Sequence, residues 1–325
     1  RQGINTPFIN MQDGRMRTTA VSGLWLDSDS ASKLRISGGI IQAISPRGAL
    51  HWFKTAHSIG FYPVGYNPDG THSGYAGNIQ SKGLALLGLN YDAYRKWQIQ
   101  IWQMLIDNVS YSALAQISKV HSFGGTCRIK ISAQSIVQHS IHQGGNQDLS
   151  KSYFGKNQHS LSFGGSAALI AGGKDISINY TRITAAGRYL IPREWGRDPF
   201  FTFMLRERNE GLGDVHALVV KSNWTAPSKN LKYNLSAGYF RLPNVHQTRL
   251  NKYGMPSYVQ VNSDLRYAFL KGWLKGLDAQ FLLVHKRNAG AVYNNPKYIY
   301  NKVDMTLYNI VFNYSFSLYR PAIKK

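Results

Sequence analysis

The residues able to do chemistry in this chain are overwhelmingly cationic, and they fall into two sets. One is a dense run: Arg193, Glu194, Arg197, Arg206, Glu207 and Arg208 share one segment with Trp195, Phe200, Phe201 and Phe203. Guanidinium forks take carboxylates in bidentate fashion, so this segment folded into a cavity would present anion sites at a constriction. An ion-paired surface loop packed on itself fits the same composition. The other set, Arg35, Arg128, Lys130, Lys232, Arg266 and Lys286, is scattered singly through alternating segments, with Asp264 beside Arg266. Projecting into a water-filled lumen, these side chains would form an electropositive path, because low-dielectric walls focus the field. On a solvated outer face, or at a membrane rim, they would instead meet water or lipid phosphates. Asp264 reads first as an ion-pair partner of Arg266, and second as a contact for the amino group of a zwitterionic solute.

Catalytic and metal signals are weak. His139 and His142 form a His-x-x-His pair with no Glu or Cys at metal spacing, and Cys127 is the single cysteine, which excludes an internal disulfide or a cysteine zinc cluster. No nucleophile elbow, phosphate-binding loop or dinucleotide fingerprint is present. No enzyme activity, metal or cofactor is implied.

The elements that must position these residues alternate with period 2. Cys127, Ile129, Ile131 and Ala133 face one way, while Arg128, Lys130, Ser132 and Gln134 face the other. Leu34 to Ile41, Trp97 to Trp102, Val109 to Ile117, Ser160 to Leu169, Ile176 to Thr181, Leu231 to Tyr239, Val259 to Phe269, Leu277 to Lys286 and Leu307 to Phe316 repeat the pattern. Such alternation marks strands, and about thirteen or fourteen are expected, with no amphipathic helix. The polar faces are Ser, Asn, Gln and isolated cations rather than the Lys/Glu surface of a soluble sandwich. The apolar faces run to aromatic ends: Tyr91, Trp97, Tyr111, Tyr180, Tyr233, Tyr239, Tyr258, Tyr267, Tyr308 and Tyr314.

A greasy exterior, a wet interior and an aromatic girdle describe a transmembrane barrel. Strands of about 10 residues fit a tilted crossing, and in lipid the sheet must close. Short joins (94–97, 107–109, 171–174, 225–229, 271–275) and long ones (46–80, 139–158, 185–213, 241–257, 287–301) predict short turns at one end and long extracellular loops at the other. The expectation is an all-β, antiparallel, up-and-down transmembrane barrel, one domain over residues 1–325. No run of residues reaches the roughly 18 apolar positions of a membrane helix.

The chain has 325 residues and 38 Lys+Arg against 16 Asp+Glu, a formal net charge of +22. Such a charge also fits nucleic-acid binding. Here the cations fall one or two per strand with no recognition module, so nucleic acid is not expected as a partner. Anionic solutes and the phosphates of lipopolysaccharide account for the charge equally well.

The N-terminal run Gly3 to Arg17 contains Gln12, Asp13, Arg15 and Met16 followed by Gly23, and it resembles a recurring motif of the OprD family of outer-membrane porins. The segment Ile191 to Gly213 looks like the long loop of a Bacteroidetes-type branch of that family. The resemblance implies an eighteen-stranded pore, monomeric or trimeric, with inward-folded loops and a ladder of basic side chains guiding carboxylate solutes. The strand count here is lower, so a full barrel of about 16–18 strands would place further strands before Arg1. The implied function is passive diffusion of small anionic or zwitterionic solutes such as carboxylates, amino acids and peptides across an outer membrane. The rivals are a barrel enzyme on the same scaffold and an accessory barrel subunit of a larger envelope complex.

Overall fold

The computed structural model describes residues 2–11, 17–28, 33–93, 96–124 and 126–315. Gln12, Asp13, Arg15 and Met16 lie outside the described residues. The chain forms one antiparallel sheet from β1 (Ala20–Ser28), β2 (Leu34–Ser45), β3 (Phe53–Lys54), β4 (Leu84–Ala93), β5 (Trp97–Ile106), β6 (Ser110–Ser122) and β7 (Arg128–Ser140). It continues with β8 (His159–Ala171), β9 (Lys174–Ile183), β10 (Val215–Thr225), β11 (Leu231–Arg241), β12 (Tyr258–Ala268), β13 (Leu277–Asn288) and β14 (Met305–Tyr314). Each strand pairs with its neighbours in sequence, except that the two-residue β3 pairs only with β2, and β2 passes on to β4. A single helical turn, α1 (Thr55–Ser58), follows β3.

Register explains the alternation. Arg128, Lys130, Ser132 and Gln134 point to one face of β7, paired across β6 and β8 with Ser122, Val120, Ser118 and Gln116 and with Ile170, Ala168, Ser166 and Gly164. The opposite face is apolar and exposed across the sheet. Leu87, Ile101, Ile131, Val137, Phe163, Leu169, Ile178, Leu218, Val220, Val261, Phe281, Ile310 and Phe312 all remain open. An apolar surface this continuous far exceeds the few hundred Å² that soluble monomers expose, and it suits hydrocarbon. No helix among the described residues is long and apolar enough to cross a membrane.

The close pairing of β1 and β2 depends on glycine. A Cβ on Gly23 would run into the Ile40 carbonyl oxygen, and one on Gly39 into that of Leu24. The register shifts between Ser22 and Gly23, so a bulge re-aims β1 where side chains would not fit.

Two expectations are corrected. The tight turn at 107–109 falls at the long-loop end, not among the short turns of the other rim; Asn108 adopts φ 58° there. Tyr258 is no girdle residue: it is fully buried on the inner face and stacks on Phe240, with ring centroids 4.8 Å apart. Its parity is that of Gln260, which also faces inward. The inner face is likewise not uniformly wet. Towards the long loops, Trp102, Met104, Leu114, Ile136, Val215, Ala217 and Val219 pack against Phe8, Ile9, Ile191, Trp195, Phe200 and Met204 in one core.

Candidate functional site

The connection between β9 and β10, residues 184–214, folds onto the inner face of the sheet and is tied to it strand by strand. On β7, the Gln138 side-chain amide donates to the Leu190 carbonyl (2.8 Å) and accepts from its N–H (2.9 Å), while Gln134 donates to the Pro199 carbonyl at 3.0 Å. Thr202 reaches Thr181 on β9 at 2.8 Å, and Lys221 on β10 donates to the Phe201 carbonyl at 2.7 Å. Gln260 and Asn262 on β12 both donate to the Leu205 carbonyl at 2.9 Å, and Lys286 on β13 pairs with Glu207 at 3.2 Å. Buried carbonyls need such partners, so the polar inner faces of the strands serve as the socket of this loop.

From the other side, the 46–83 connection and the N-terminal segment clamp the loop. Trp195 donates its indole N–H to Ser58 (2.9 Å), and Asn10 accepts from the Arg197 N–H (2.9 Å). Glu194 was expected to add charge to a constriction, but it is buried and accepts the backbone N–H groups of Gly60 (3.2 Å) and Tyr62 (2.8 Å). Burial raises its pKa, and the Tyr62 N–H pulls it partly back. It anchors the loop rather than lining a space.

A second knot holds the loop near Glu210. Lys252, fully buried, pairs with Glu210 at 3.0 Å and donates to the Tyr75 hydroxyl at 2.9 Å. The Tyr75, Tyr153 and Tyr253 rings stand 4.8, 4.9 and 5.3 Å from its ammonium nitrogen. Tyr253 also donates to Glu210 at 2.6 Å. Burial lowers the lysine pKa while Glu210 pulls it back up. Nearby, burial pushes Arg188 down to about 10; its guanidinium donates to the Tyr66 carbonyl at 2.8 Å and to that of Thr248.

Two cavities flank the loop. One, of about 520 Å³, is lined by six cations, Arg47, Arg193, Arg206, Arg208, Lys286 and Lys302, and by two carboxylates, Glu207 and Glu210. Both carboxylates are committed, to Lys286 and to Lys252 with Tyr253. The Nε atoms of Arg47 and Arg193 are buried with no hydrogen-bond partner among the described residues. The other cavity, about 500 Å³, is lined by amides and hydroxyls, including Asn5, Gln100, Gln116, Gln134, Ser177 and Asn179, with Arg197, Lys221 and three phenyl rings. Arg197 stands over the Phe203 ring at 5.7 Å. Asp198, also on this cavity, has its pKa pushed up to about 6 by burial, against the pull of Arg208 and of the Asn209 N–H that donates to it at 2.6 Å.

The structure therefore gathers Arg193, Arg206, Glu207, Arg208 and Lys286 in one place and leaves the other sequence candidates apart. Arg35 lines a smaller cavity with Asp27 and Asn90. Arg128 is exposed and Lys130 half-buried at the short-turn end of β7. Lys232 is exposed on β11 and stands opposite Arg266 of β12. Asp264 is buried and accepts from Arg266 (3.3 Å), Asn234 (3.3 Å) and Gln280 (2.6 Å). It is paired with Arg266, the first of the two readings the sequence offered. Arg47 and Lys302 were missed because they lie in connections without period. Lys221 could have been found from the alternation Val219, Lys221, Asn223. His139 is exposed on the outer face and lines none of these cavities, and no group of three metal-capable side chains forms among the described residues.

This arrangement, a meander greasy outside with a cationic loop folded within, is the architecture of an outer-membrane porin. Solved structures share it: OpdO of Pseudomonas aeruginosa aligns with a TM-score of 0.68 at 14% identity over 89% of this chain and 70% of that one. OpdK of the same organism, in a structure with vanillate, gives 0.71 at 13% over 89% and 70%. OccAB3 of Acinetobacter baumannii gives 0.66 at 12% over 89% and 67%. No protein-family model matches the chain, and no curated protein does. The fold is thus that of the OprD-type porins; the likeness does not confirm the Bacteroidetes branch.

Proposed function

We propose that the protein is an outer-membrane diffusion channel that passes small anionic solutes, carboxylates foremost, along the cation-lined flank of the 184–214 loop. One observation carries the reading: six cationic side chains line one cavity against two carboxylates, Glu207 paired with Lys286 of the same set and Glu210 with Lys252, which leaves an excess of cations. A carboxylate entering this space trades hydration for guanidinium contacts that are strong singly yet spread over several residues, so that it can enter and leave. Vanillate, the compound in the OpdK structure, is an aromatic carboxylate, and its chemistry suits such a lining. Arg35, Arg128, Lys130, Lys232 and Arg266 would supply the approach on the short-turn side, and Asp264 would hold Arg266 in place. No proton, electron or bond needs to move, so the reading is that of a channel without catalysis.

Planar-bilayer recording of the purified, folded protein tests this. Stepwise currents in chloride, reduced by added aromatic carboxylates that occupy the cationic flank, are expected. Protein that inserts yet gives no steps would leave a plugged barrel or an enzyme as the better reading.

A further inference from the structure

Arg241 and Arg287 do not belong to the inner path. Both are exposed, and both point outward, on the face that carries Tyr239, Leu235, Leu283 and Phe281. Neither has a hydrogen-bond or ion-pair partner among the described residues. Pairing places Arg182, His216 and Arg241 side by side on β9, β10 and β11, and sets Arg287 beside Val259 of β12. The exposed His285 precedes Arg287 by two residues on β13, its Nδ1 2.8 Å from the Thr306 hydroxyl. All lie towards the long-loop end: Arg287 is level with the outward row Tyr180, Leu218, Tyr239 and Val259, and Arg182, His216 and Arg241 stand in the next outward row.

Two acids lie near this rim: Asp214 pairs with Arg182 at 2.6 Å, and Asp304 accepts the N–H of Asn288, next to Arg287, at 2.7 Å; three arginines against two carboxylates leave it net positive. At the short-turn end the described residues include an outward lysine, Lys119, laid over the Trp97 ring at 4.8 Å. Fork-shaped guanidinium groups without protein partners match an oxyanion, carboxylate or phosphate, and on an outward rim beside an apolar belt the oxyanion at hand is a headgroup phosphate.

We infer that the outward rim formed by Arg241 and Arg287, backed by His216 and His285, is a binding site for the phosphate groups of an outer-leaflet glycolipid. The inference rests on the membrane fold and not on the transport reading. Clustered basic residues at a lipid surface each strengthen binding to anionic headgroups, and the loss of two is expected to weaken it about thirtyfold.

The test uses the full chain in nanodiscs of zwitterionic lipid doped with bisphosphorylated lipid A, with bound lipid counted by native mass spectrometry. The wild type should retain lipid A adducts in preference to the dephosphorylated form. The double variant Arg241→Gln with Arg287→Gln should lose them, and Arg241→Lys with Arg287→Lys should keep part. Equal retention by the Gln variant, equal retention of dephosphorylated lipid, or a lipid-independent dimer crosslinked through this rim would overturn the assignment. Bilayer currents of the Gln variant should match wild type. Absence of current in both would count against the channel reading while leaving the lipid result to stand by itself.

Discussion

The two cavities beside the 184–214 loop have nearly the same size, about 520 and 500 Å³, and share that loop as a wall, yet their chemistry is opposite. One is lined by four guanidinium and two ammonium groups with two carboxylates, Lys286 being paired with Glu207 and Lys302 held by the Tyr253 and Gly254 carbonyls. The other is a field of amides, hydroxyls and phenyl rings, where Arg197 is stacked on Phe203 and Lys221 is spent on a carbonyl. The net charge of the chain is therefore a poor guide to its interior, since cations used to hold the loop cannot also meet a solute.

Charge reversal on the cationic flank should separate the two cavities most strongly. Arg206→Glu combined with Arg193→Gln removes the field where low-dielectric walls concentrate it, and the reversal potential in a salt gradient should swing from anion towards cation preference. Arg206 is exposed and Arg193 half-buried against the Tyr253 ring, so Arg206→Glu alone, with the fold intact, should swing selectivity in the same direction. If selectivity holds, the path runs elsewhere.

The next effect falls on the loop itself. Lys252→Met keeps the volume and leaves Glu210 buried without its cation, which costs about 3–5 kcal/mol. The expected outcome is a lower heat-denaturation midpoint together with noisier single-channel currents. A silent variant would mean that the tyrosine hydroxyls alone satisfy Glu210.

Asp198 gives a smaller, pH-dependent effect. Its folded pKa of about 6 lies above the ordinary value of 3.8, so its contribution to stability is full below about pH 4 and is lost as pH rises through about 6. At roughly 1.4 kcal/mol per unit, the loss is at most about 3 kcal/mol. Asp198→Asn should therefore melt like wild type at pH 4 and above it at pH 7.5. Identical midpoints at both values would show that Arg208 and the Asn209 N–H fully offset the burial.

Arg197→Gln, on the amide-lined side, should have the least effect on selectivity. A shift as large as that of the Arg206 variant would put both flanks on one path and erase the contrast.

Much of the fold is legible in the sequence because a strand writes its two environments into alternate residues. The run from Cys127 to Gln134 sorts itself into lipid and lumen faces, and Asp264 beside Arg266 already suggests the pair. The loop is less legible. Glu194 and Arg193 are adjacent and both charged, yet one ends on two backbone N–H groups and the other against the Tyr253 ring at 5.0 Å. That outcome is fixed by packing from connections far away in sequence, which carry no period to read. Tyr258 fails for a related reason: aromatic position near a strand end says girdle, while its parity with Gln260 says interior, and parity decides.

If the cations beside the 184–214 loop set an anion preference in an open pore, the reversal potential of wild-type channels under a potassium chloride gradient must show it. Stepwise currents with a reversal potential displaced towards the chloride equilibrium value are expected, while a displacement towards the potassium value, in channels of the same folded protein, would contradict an anion-selective path.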